Sequence, residues 1–430
     1  MTSTKYLIIG NSAAGVGCVE GIRQTDPTGE ITLLAKETEH AYSRPLITYL
    51  LGGKVDEAGM AYRPADFYVQ QRVKTMLGVE AAKVDPAAKT VTCADGQVIG
   101  YEKLLIANGG KPITPPNLPG ADAPGVFTFT TWGDARAIEQ YIAANDVKEA
   151  VVIGGGLIGL KSVEALTARG LKVTVLELAP RILAVTLDQD ASDLLAGALA
   201  SAGVKLLTNT TAQRVDLENG KAAGVTLPDG QKIAAGLVIL AIGVLPDLSL
   251  VAGSGIATER GILADERLAT NVEGVYAAGD VAQALELLSG ERRSIPIWPN
   301  AYRQGFIAGV NMAGGDKVYE GGLAMNSVEI CGLATISAGI TSPPEGQGYQ
   351  VLTKLDPKTK NYRKLVLKDH HLVGYVLVGD VDRAGIITGL IKGRVEVKGL
   401  EEKLLAPDFG LISLPAMHRE RVTAGLGVWS

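Results

Sequence analysis

Along this chain the apolar residues fall into short unbroken runs that stop at glycine, separated by stretches with helical spacing. Residues 5–10, KYLIIG, read as a strand buried on both faces. The following NSAAGVGCVEGIRQ reads as a helix opening on the turn, and ITLLA at 31–35 as a second strand. Together they make one strand-helix-strand unit. EKLLIANG at 102–109 repeats the run that ends in glycine, and the breaker-rich KPITPPNLPGADAPG at 111–125 marks a boundary. The plan restarts at 149–159 with EAVVIGGGLIG, a helical KSVEALTARG and the strand LKVTVLEL at 171–178. Further strands are expected in GKAAGVTLPDG, AAGLVILAIG and GVYAAGD. After about residue 325 the texture changes to alternating segments, YQVLTKLD, YRKLVLKD and LVGYVLVGD, which suit antiparallel strands of a separate α+β domain.

The chain has 430 residues, enough for roughly three domains. Its 53 glycines are about 12% of the total against a usual ~7%, an excess that calls for local explanations. The net charge of −5 argues against nonspecific binding to nucleic acid or anionic membranes. Cys18, Cys93 and Cys331 lie far apart without metal-ligand spacing, which fits structural or incidental thiols in a reducing compartment. The start MTSTKYLIIGNSAAG lacks the layout of a secretory leader, and no apolar run reaches ~18 residues, so a cytoplasmic protein is expected.

The most specific chemical signal is Gly154-Gly155-Gly156-Leu157-Ile158-Gly159, a G-x-G-x-x-G between a strand and a helix, with Glu177 about 20 residues further on. Gly154 permits the tight turn, Gly156 lets the backbone approach a pyrophosphate, and Gly159 lets helix and strand pack closely. The helix N-terminus then faces phosphate charge. Glu177 can accept bonds from ribose hydroxyls and would repel a 2′-phosphate, so NAD(H) is preferred to NADP(H).

The N-terminal copy, Gly10-Asn11-Ser12-Ala13-Ala14-Gly15, is degenerate because Ser12 stands where the second glycine is usual. The serine is still small, and its hydroxyl could bond a phosphate oxygen; a purely structural loop is the competing reading. Its acid position is irregular too, with Ala35 ending the strand and only Lys36 and Glu37 as ribose-contact candidates. What supports it lies far away in ADERLATNVEGVYAAGDV at 264–281, where Asp280 follows an apolar strand and Gly279 and could hold a polyol hydroxyl of a bound cofactor.

At this point the sequence resembles the pyridine nucleotide-disulfide oxidoreductase superfamily, in the branch of rubredoxin reductases, ferredoxin reductases and the flavin portion of NADH-dependent nitrite reductases. The resemblance spans nearly the whole chain. It is carried by IIGNSAAG, AYSRPLITYL, GVEAAKVDPAAKTV, LLIANGGKP, VVIGGGLIGL, LAIGVLPDLSL, VYAAGD and IPIWPNAYRQG. It implies an α/β fold of two doubly wound three-layer Rossmann-like nucleotide-binding domains plus a C-terminal α+β domain, the last a homodimer interface in relatives. The implied spans are 1–116 and 246–325 for FAD, 117–245 for NAD and 326–430 for the C-terminal domain.

Carried over residue by residue, the resemblance implies that Gly10, Ser12, Ala14 and Gly15 hold the FAD pyrophosphate, Arg44 and Pro45 lie beside the isoalloxazine, and Glu80 with Ala81 approaches the adenine. Asn108 and Gly109 match a strand-ending A-T-G with Asn for Thr. Asp280 after Gly279 would bind the ribityl chain, and Trp298 with a helix opening after Pro299 would face the flavin pyrimidine. There the helix N-terminus would stabilise charge developing on reduction. On the nucleotide side the match adds Gly243, in LAIGVLPDLSL, to Gly154, Gly156, Leu157, Ile158, Gly159 and Glu177.

Departures from the family pattern shape the expected activity. Disulfide-reducing members carry a cysteine near the position of Pro45, and this chain has none there, so a thiol relay is not expected. Where relatives pair a lysine and a glutamate near flavin N5, this chain has Tyr49 and Lys161. Lys161 then either supplies a cation near N5 or is a helix-face lysine. His40, His370, His371 and His418 lie in unrelated segments, and no general acid or base is proposed. That fits hydride transfer from NADH to flavin N5, where the protein orients two rings.

The expected acceptor is a one-electron iron-sulfur protein: rubredoxin, ferredoxin or a ferredoxin-like subunit. Arg292, Arg293, Lys360, Arg363 and Lys364 are candidates for a basic docking patch. The competing readings are an NADH oxidase using oxygen and a flavin-binding structural or regulatory subunit that does not turn over. The tail from Leu414 to Ser430, with Trp429, could dock a subunit or pack on the core.

Overall fold

The computed structural model describes residues 2–406, 408–414, 416, 419 and 420. His418 and Trp429 lie outside the described residues. The chain forms two compact units, each assembled from separated stretches. Unit 1 comprises 1–50, 55–112 and 244–323; unit 2 comprises 51–54, 113–243 and 324–430. Five helices matter below: α1 (Ala13–Thr25), α2 (Leu157–Ala168), α3 (Gln189–Ser201), α4 (Trp298–Met312) and α5 (Ala384–Lys392).

In unit 1 the strand Thr2–Ile9 lies between Ile31–Ala35 and Val98–Ile106, parallel to both, with Tyr6 opposite Ile31 and Lys103. Val73–Leu77 and Val275–Ala277 extend the parallel part on its two sides. The antiparallel strands Thr90–Cys93 and Ala81–Asp85 complete seven. Ile31–Ala35 is buried at every position, as a continuous apolar run in a sheet covered on both faces demands.

The cover on one face is α1 against α4, and this contact is unusually close. A Cβ on Gly305 would stand 2.7 Å from the Cα of Ala14, and one on Gly309 would stand 3.0 Å from the Cα of Cys18. From the other side, a Cβ on Gly17 would come within 3.0 Å of the Phe306 nitrogen, and one on Gly21 within 3.0 Å of the Val310 nitrogen. Four glycines, spaced by four residues on each helix, let the two backbones touch. α4 begins two residues earlier than the sequence suggests, with Ile297 as N-cap and Pro299 inside the first turn. A proline is tolerated there because the N–H it lacks has no partner inside the helix.

Unit 2 repeats the parallel plan. Glu149–Ile153 lies between Lys172–Leu176 and Leu237–Leu240, with Lys205–Leu207 and Val126–Phe127 at the edges. The C-terminal five-stranded antiparallel sheet belongs to the same unit. Its strand Asn361–Lys368 is buried from Tyr362 to Leu367 because both faces are covered. On one face Tyr375 bonds to Thr388 of α5 at 2.8 Å. On the other, Tyr362 donates to Asp188, the N-cap of α3, at 2.6 Å, and Lys364 pairs with the same carboxylate at 2.8 Å. Burial pushes Asp188 up, but the bonds from Lys364 and Tyr362 outweigh it and leave the carboxyl below its ordinary range.

This arrangement corrects the docking-patch expectation. Arg363 and Lys364 are 6% and 7% exposed. Arg363 donates to the carbonyl of Ala406 at 2.7 Å and pairs with Asp380 at 3.4 Å. Arg292 and Arg293 are exposed, as is Lys360.

The glycine contacts set a stability test. Gly305→Ala should cost about 1–3 kcal/mol through overpacking, read as a lower urea midpoint at unchanged slope. Gly197→Ala, within α3 where a Cβ would meet nothing within 4 Å, is the control. It should gain up to about 1 kcal/mol of helix propensity.

Candidate functional sites

Each unit carries a strand-turn-helix corner built by the same constraint. In unit 2 Gly154 sits at φ +115°, and a Cβ on Gly159 would collide with the Gly154 carbonyl oxygen. In unit 1 Gly10 sits at φ +116°, and a Cβ on Gly15 would collide with the Gly10 carbonyl oxygen. Glycine is thus required twice at each corner, once for the left-handed turn and once for the close approach of helix to turn. The middle positions differ in kind. Around Gly156, N-cap of α2, an added Cβ would meet nothing within 4 Å, so the space before the helix N-terminus is open. Ser12 occupies the same place before α1, and its hydroxyl makes no capping bond. Leu157 and Ile158 form the first turn of α2. Gly243 has φ +126°, and its carbonyl accepts from the Ile113 N–H at 2.9 Å.

Acids stand at the end of the second strand in both units, held differently. Glu177 accepts the Gly155 N–H at 2.6 Å and the Ala179 N–H at 2.7 Å, one on each oxygen. Glu37 accepts the Tyr42 hydroxyl and the Arg44 guanidinium, both at 2.6 Å. Each carboxylate is thereby aimed while every oxygen keeps a second lone pair for a ribose hydroxyl. Glu80 pairs with Lys36 at 2.9 Å, so the adenine-side candidates Lys36, Glu37 and Glu80 gather at one sheet end. Ala81, next in sequence to Glu80, opens the antiparallel strand Ala81–Asp85 and pairs with Cys93.

Three further groups of unit 1 have unmet bonding capacity. Asp280 accepts no hydrogen bond from the described residues; burial raises its carboxyl above the ordinary value, while the charge of Arg44 pulls it down. Asn108 donates to the Asp247 carbonyl at 2.8 Å, but its own Oδ1 is buried without a partner. The Ser12 hydroxyl is the third. A polyol and pyrophosphate supply what these groups lack, so the residues present fit FAD. Pro45 lies in a short 3₁₀ turn with Arg44, Gly109 turns at φ +75°, and Gly279 turns at φ +78° against Ala14, whose side chain would stand 3.2 Å from an added Cβ. Trp298 begins α4 and meets the Tyr62 ring edge-on at 4.9 Å.

Sequence reasoning missed the bracing of the Gly10 corner. Tyr68 donates to Asn11 Oδ1, Asn11 Nδ2 donates to the Glu39 carbonyl at 3.1 Å, and the His40 ring packs against Tyr68 at 4.6 Å, tilted by 50°. Burial pushes the Tyr68 phenol up to about 12, so it remains a donor. In unit 2, Lys161 ion-pairs with Glu164 and donates to the Glu329 carbonyl at 3.3 Å; Glu164 in turn accepts the Cys331 N–H at 2.9 Å. In unit 1 the Tyr49 carbonyl accepts from Val55 at 3.4 Å. No group of histidine, cysteine or carboxylate side chains suited to a metal occurs among the described residues. No described helix is long and apolar enough to cross a membrane.

Comparison with known proteins agrees with this geometry. Residues 4–305 match the family model of pyridine nucleotide-disulphide oxidoreductases, and residues 325–395 match that of the rubredoxin NAD+ reductase C-terminal domain. The chain is 33% identical to the NADH-dependent phenylglyoxylate dehydrogenase subunit epsilon of Aromatoleum evansii, over 94% of this chain and 95% of that one. It is 30% identical to a rubredoxin-NAD(+) reductase of Pseudomonas putida, over 72% of this chain and 80% of that one. A crystal structure of a ferredoxin reductase from Rhodopseudomonas palustris superposes with a TM-score of 0.80 at 26% identity, covering 89% of this chain and 93% of that one. This chain belongs to the pyridine nucleotide-disulphide oxidoreductase family, whose members use FAD and NAD(H).

The glycines of the second corner should fail in different ways. Gly156→Val, at φ −80°, should fold with unchanged melting but bind NADH at least about tenfold more weakly, about 1.4 kcal/mol. Gly159→Ala should instead lose about 1–3 kcal/mol of stability. Glu177→Ala should narrow the preference for NADH over NADPH in kcat/KM by about tenfold or more. It should not invert that preference, because Arg181 is already engaged with the carbonyls of Leu187 at 3.2 Å and Ala184 at 3.3 Å.

Proposed function

We propose that this protein is an FAD-dependent NADH oxidoreductase that passes electrons between NAD(H) and a one-electron iron-sulfur protein, a free rubredoxin or ferredoxin or a ferredoxin-like subunit. Unit 1 holds FAD and residues 113–243 hold NAD(H). The observation that carries the choice of acceptor is the state of the thiols. The flavin-side segment around Pro45 has no cysteine, and burial pushes all three cysteines up, with Cys18 fully buried. A protonated thiol is neither a nucleophile nor a relay partner. The names of the relatives, a rubredoxin reductase, a ferredoxin reductase and an NADH-dependent dehydrogenase subunit, support the same choice.

When bound, FAD supplies two-electron hydride exchange with NAD(H) and one-electron exchange with the acceptor. The protein's part is positional. Gly10, Ser12, Ala14 and Gly15 receive the pyrophosphate at the α1 N-terminus, where unpaired N–H groups and the helix dipole favour an anion. Arg44, held by Glu37, acts on Asp280 through its charge and would supply a cation beside the ring system. Asp280 accepts the ribityl hydroxyls. The α4 N-terminus, opened by Trp298, stabilises negative charge on the pyrimidine end. Tyr49 and Lys161 are assigned to the flavin environment on their motif positions. The same resemblance and the dispersed cysteines support a cytoplasmic homodimer joined through 326–430, which sedimentation at two concentrations checks.

The decisive experiment is an anaerobic titration followed in the visible spectrum. NADH should bleach the flavin band at much lower concentration than NADPH, and oxidised rubredoxin or ferredoxin should restore it. A flavin that neither nucleotide bleaches overturns the proposal, and rapid NADH consumption in air without added acceptor favours oxygen as acceptor instead. A second expectation concerns pH. The apo Asp280 carboxyl titrates above its ordinary value, and hydroxyl donors favour its ionised form, so binding releases a proton. FAD affinity should therefore fall as pH drops through the raised pKa, and Asp280→Asn should abolish that dependence in fluorescence titrations of the apoprotein.

A further inference from the structure

Beneath the Gly279–Asp280 turn runs a buried polar chain that the nucleotide corners do not use. The Gly279 N–H donates to Oε1 of Gln304 at 2.8 Å. Nε2 of Gln304 donates to the Tyr319 hydroxyl at 3.4 Å. That hydroxyl donates to Oδ1 of Asn300, and Nδ2 of Asn300 donates to the Ile295 carbonyl at 3.1 Å. The three side chains are 2%, 0% and 7% exposed. Every member is paired, and the direction of donation is forced from both ends, because an N–H can only donate and a carbonyl can only accept. Gln304 and Asn300 therefore have one permitted amide orientation each, and Tyr319 has one permitted hydroxyl orientation.

The ends of this chain are the two segments of unit 1 that the FAD reading assigns to the flavin. Gly279 precedes Asp280, and Ile295 leads into the N-cap of α4 and Trp298. Gln304 and Asn300 both sit on α4, whereas Tyr319 comes from the segment after it, held by its own N–H to the Glu266 carbonyl at 2.7 Å. The packing leaves little slack, since a Cβ on Gly322 would lie 2.6 Å from the Tyr319 hydroxyl and 2.9 Å from Asn300 Oδ1.

We propose that Gln304, Tyr319 and Asn300 are positioning residues for FAD, a one-directional relay that fixes the Asp280 turn relative to the start of α4 and so holds the ribityl and pyrimidine contacts in register. None of the three touches the cofactor in this proposal. Buried polar networks rigidify when fully satisfied and are costly when one link is lost, so the relay transmits its effect through geometry.

The proposal rests on the assignment of unit 1 to FAD, and two variants test it separately from that assignment. Tyr319→Phe removes one hydroxyl and strands Gln304 Nε2 and Asn300 Oδ1. Gln304→Glu preserves shape and the bond from Gly279 but gives Tyr319 two acceptors for its single proton. Each apoprotein is titrated with FAD, followed by fluorescence and the fine structure of the visible flavin band, with apo melting recorded in parallel.

Both variants should bind FAD at least about tenfold more weakly than wild type, with a less resolved band, while apo melting shifts by a few degrees. NADH binding, read by protection of residues 113–243 from proteolysis, should stay within about twofold. Wild-type FAD affinity and band shape in either folded variant would overturn the relay. Failure of both apoproteins to fold would make it a stability element and overturn it equally. If the wild-type apoprotein takes up no FAD, the assignment of unit 1 itself falls.

Discussion

Everything in unit 1 depends on the backbone contact between α1 and α4. Apolar side chains between two helices ordinarily keep their axes 8–10 Å apart. Here Gly17, Gly21, Gly305 and Gly309 remove the side chains from the seam, and carbonyl oxygens of one helix stand where the other's Cβ atoms would be. Close packing of this kind is not continuously adjustable. The α1 N-terminus, with Gly10 and Ser12 before it, and the α4 N-terminus, with Trp298, are consequently fixed with respect to one another. One end meets a pyrophosphate and the other a ring in the proposed complex, so the separation between them becomes a measuring length set by four residues without side chains.

The two nucleotide corners show how one local solution serves two purposes. Both require glycine at the turn and at the helix-turn contact, and both place an acid at the end of the following strand. They diverge at the middle position and in how the acid is held. Gly156 leaves open space before α2, and Glu177 is aimed by two backbone N–H groups, that of Gly155 in the glycine turn and that of Ala179 in its own loop. Ser12 presents a hydroxyl before α1, and Glu37 is aimed by Arg44 and Tyr42, side chains that reach it from beyond the strand. The first ties the acid through the backbone to the preceding glycine turn, 22 residues earlier; the second holds it by side chains five and seven residues further along the chain.

Much of this was legible in the sequence because it is local. Apolar runs ending in glycine marked the parallel strands, and G-x-G-x-x-G with Glu177 marked one corner without help from elsewhere. What was illegible is non-local. Tyr319, Asn300 and Gln304 form a chain only after α4 and the following segment fold back, and no spacing announces them. Arg363 and Lys364 looked like surface cations because the segment YRKLVLKD suggests one wet face. The strand is in fact covered by α5 on one side and by the α3 N-cap on the other, so Lys364 and Tyr362 both find Asp188, which lies 174 residues before Tyr362 in the same unit. The glycine pairs on α1 and α4 are spacings of four in the sequence, yet that they face each other emerges only in the fold.

The order in which the chain leaves the ribosome gives the glycine seam another meaning. Cys18 and Met312, which touch across it, are 294 residues apart. At synthesis rates of roughly 5–20 residues per second, α1 waits on the order of tens of seconds for its partner. During that time residues 113–243, whose own sheet is contiguous, can collapse as an independent piece. The nascent N-terminal sheet must meanwhile keep an apolar face uncovered. That interval is a window in which exposed apolar surface favours aggregation, and in the proposed complex early seating of the cofactor at the Gly10 corner would shorten it.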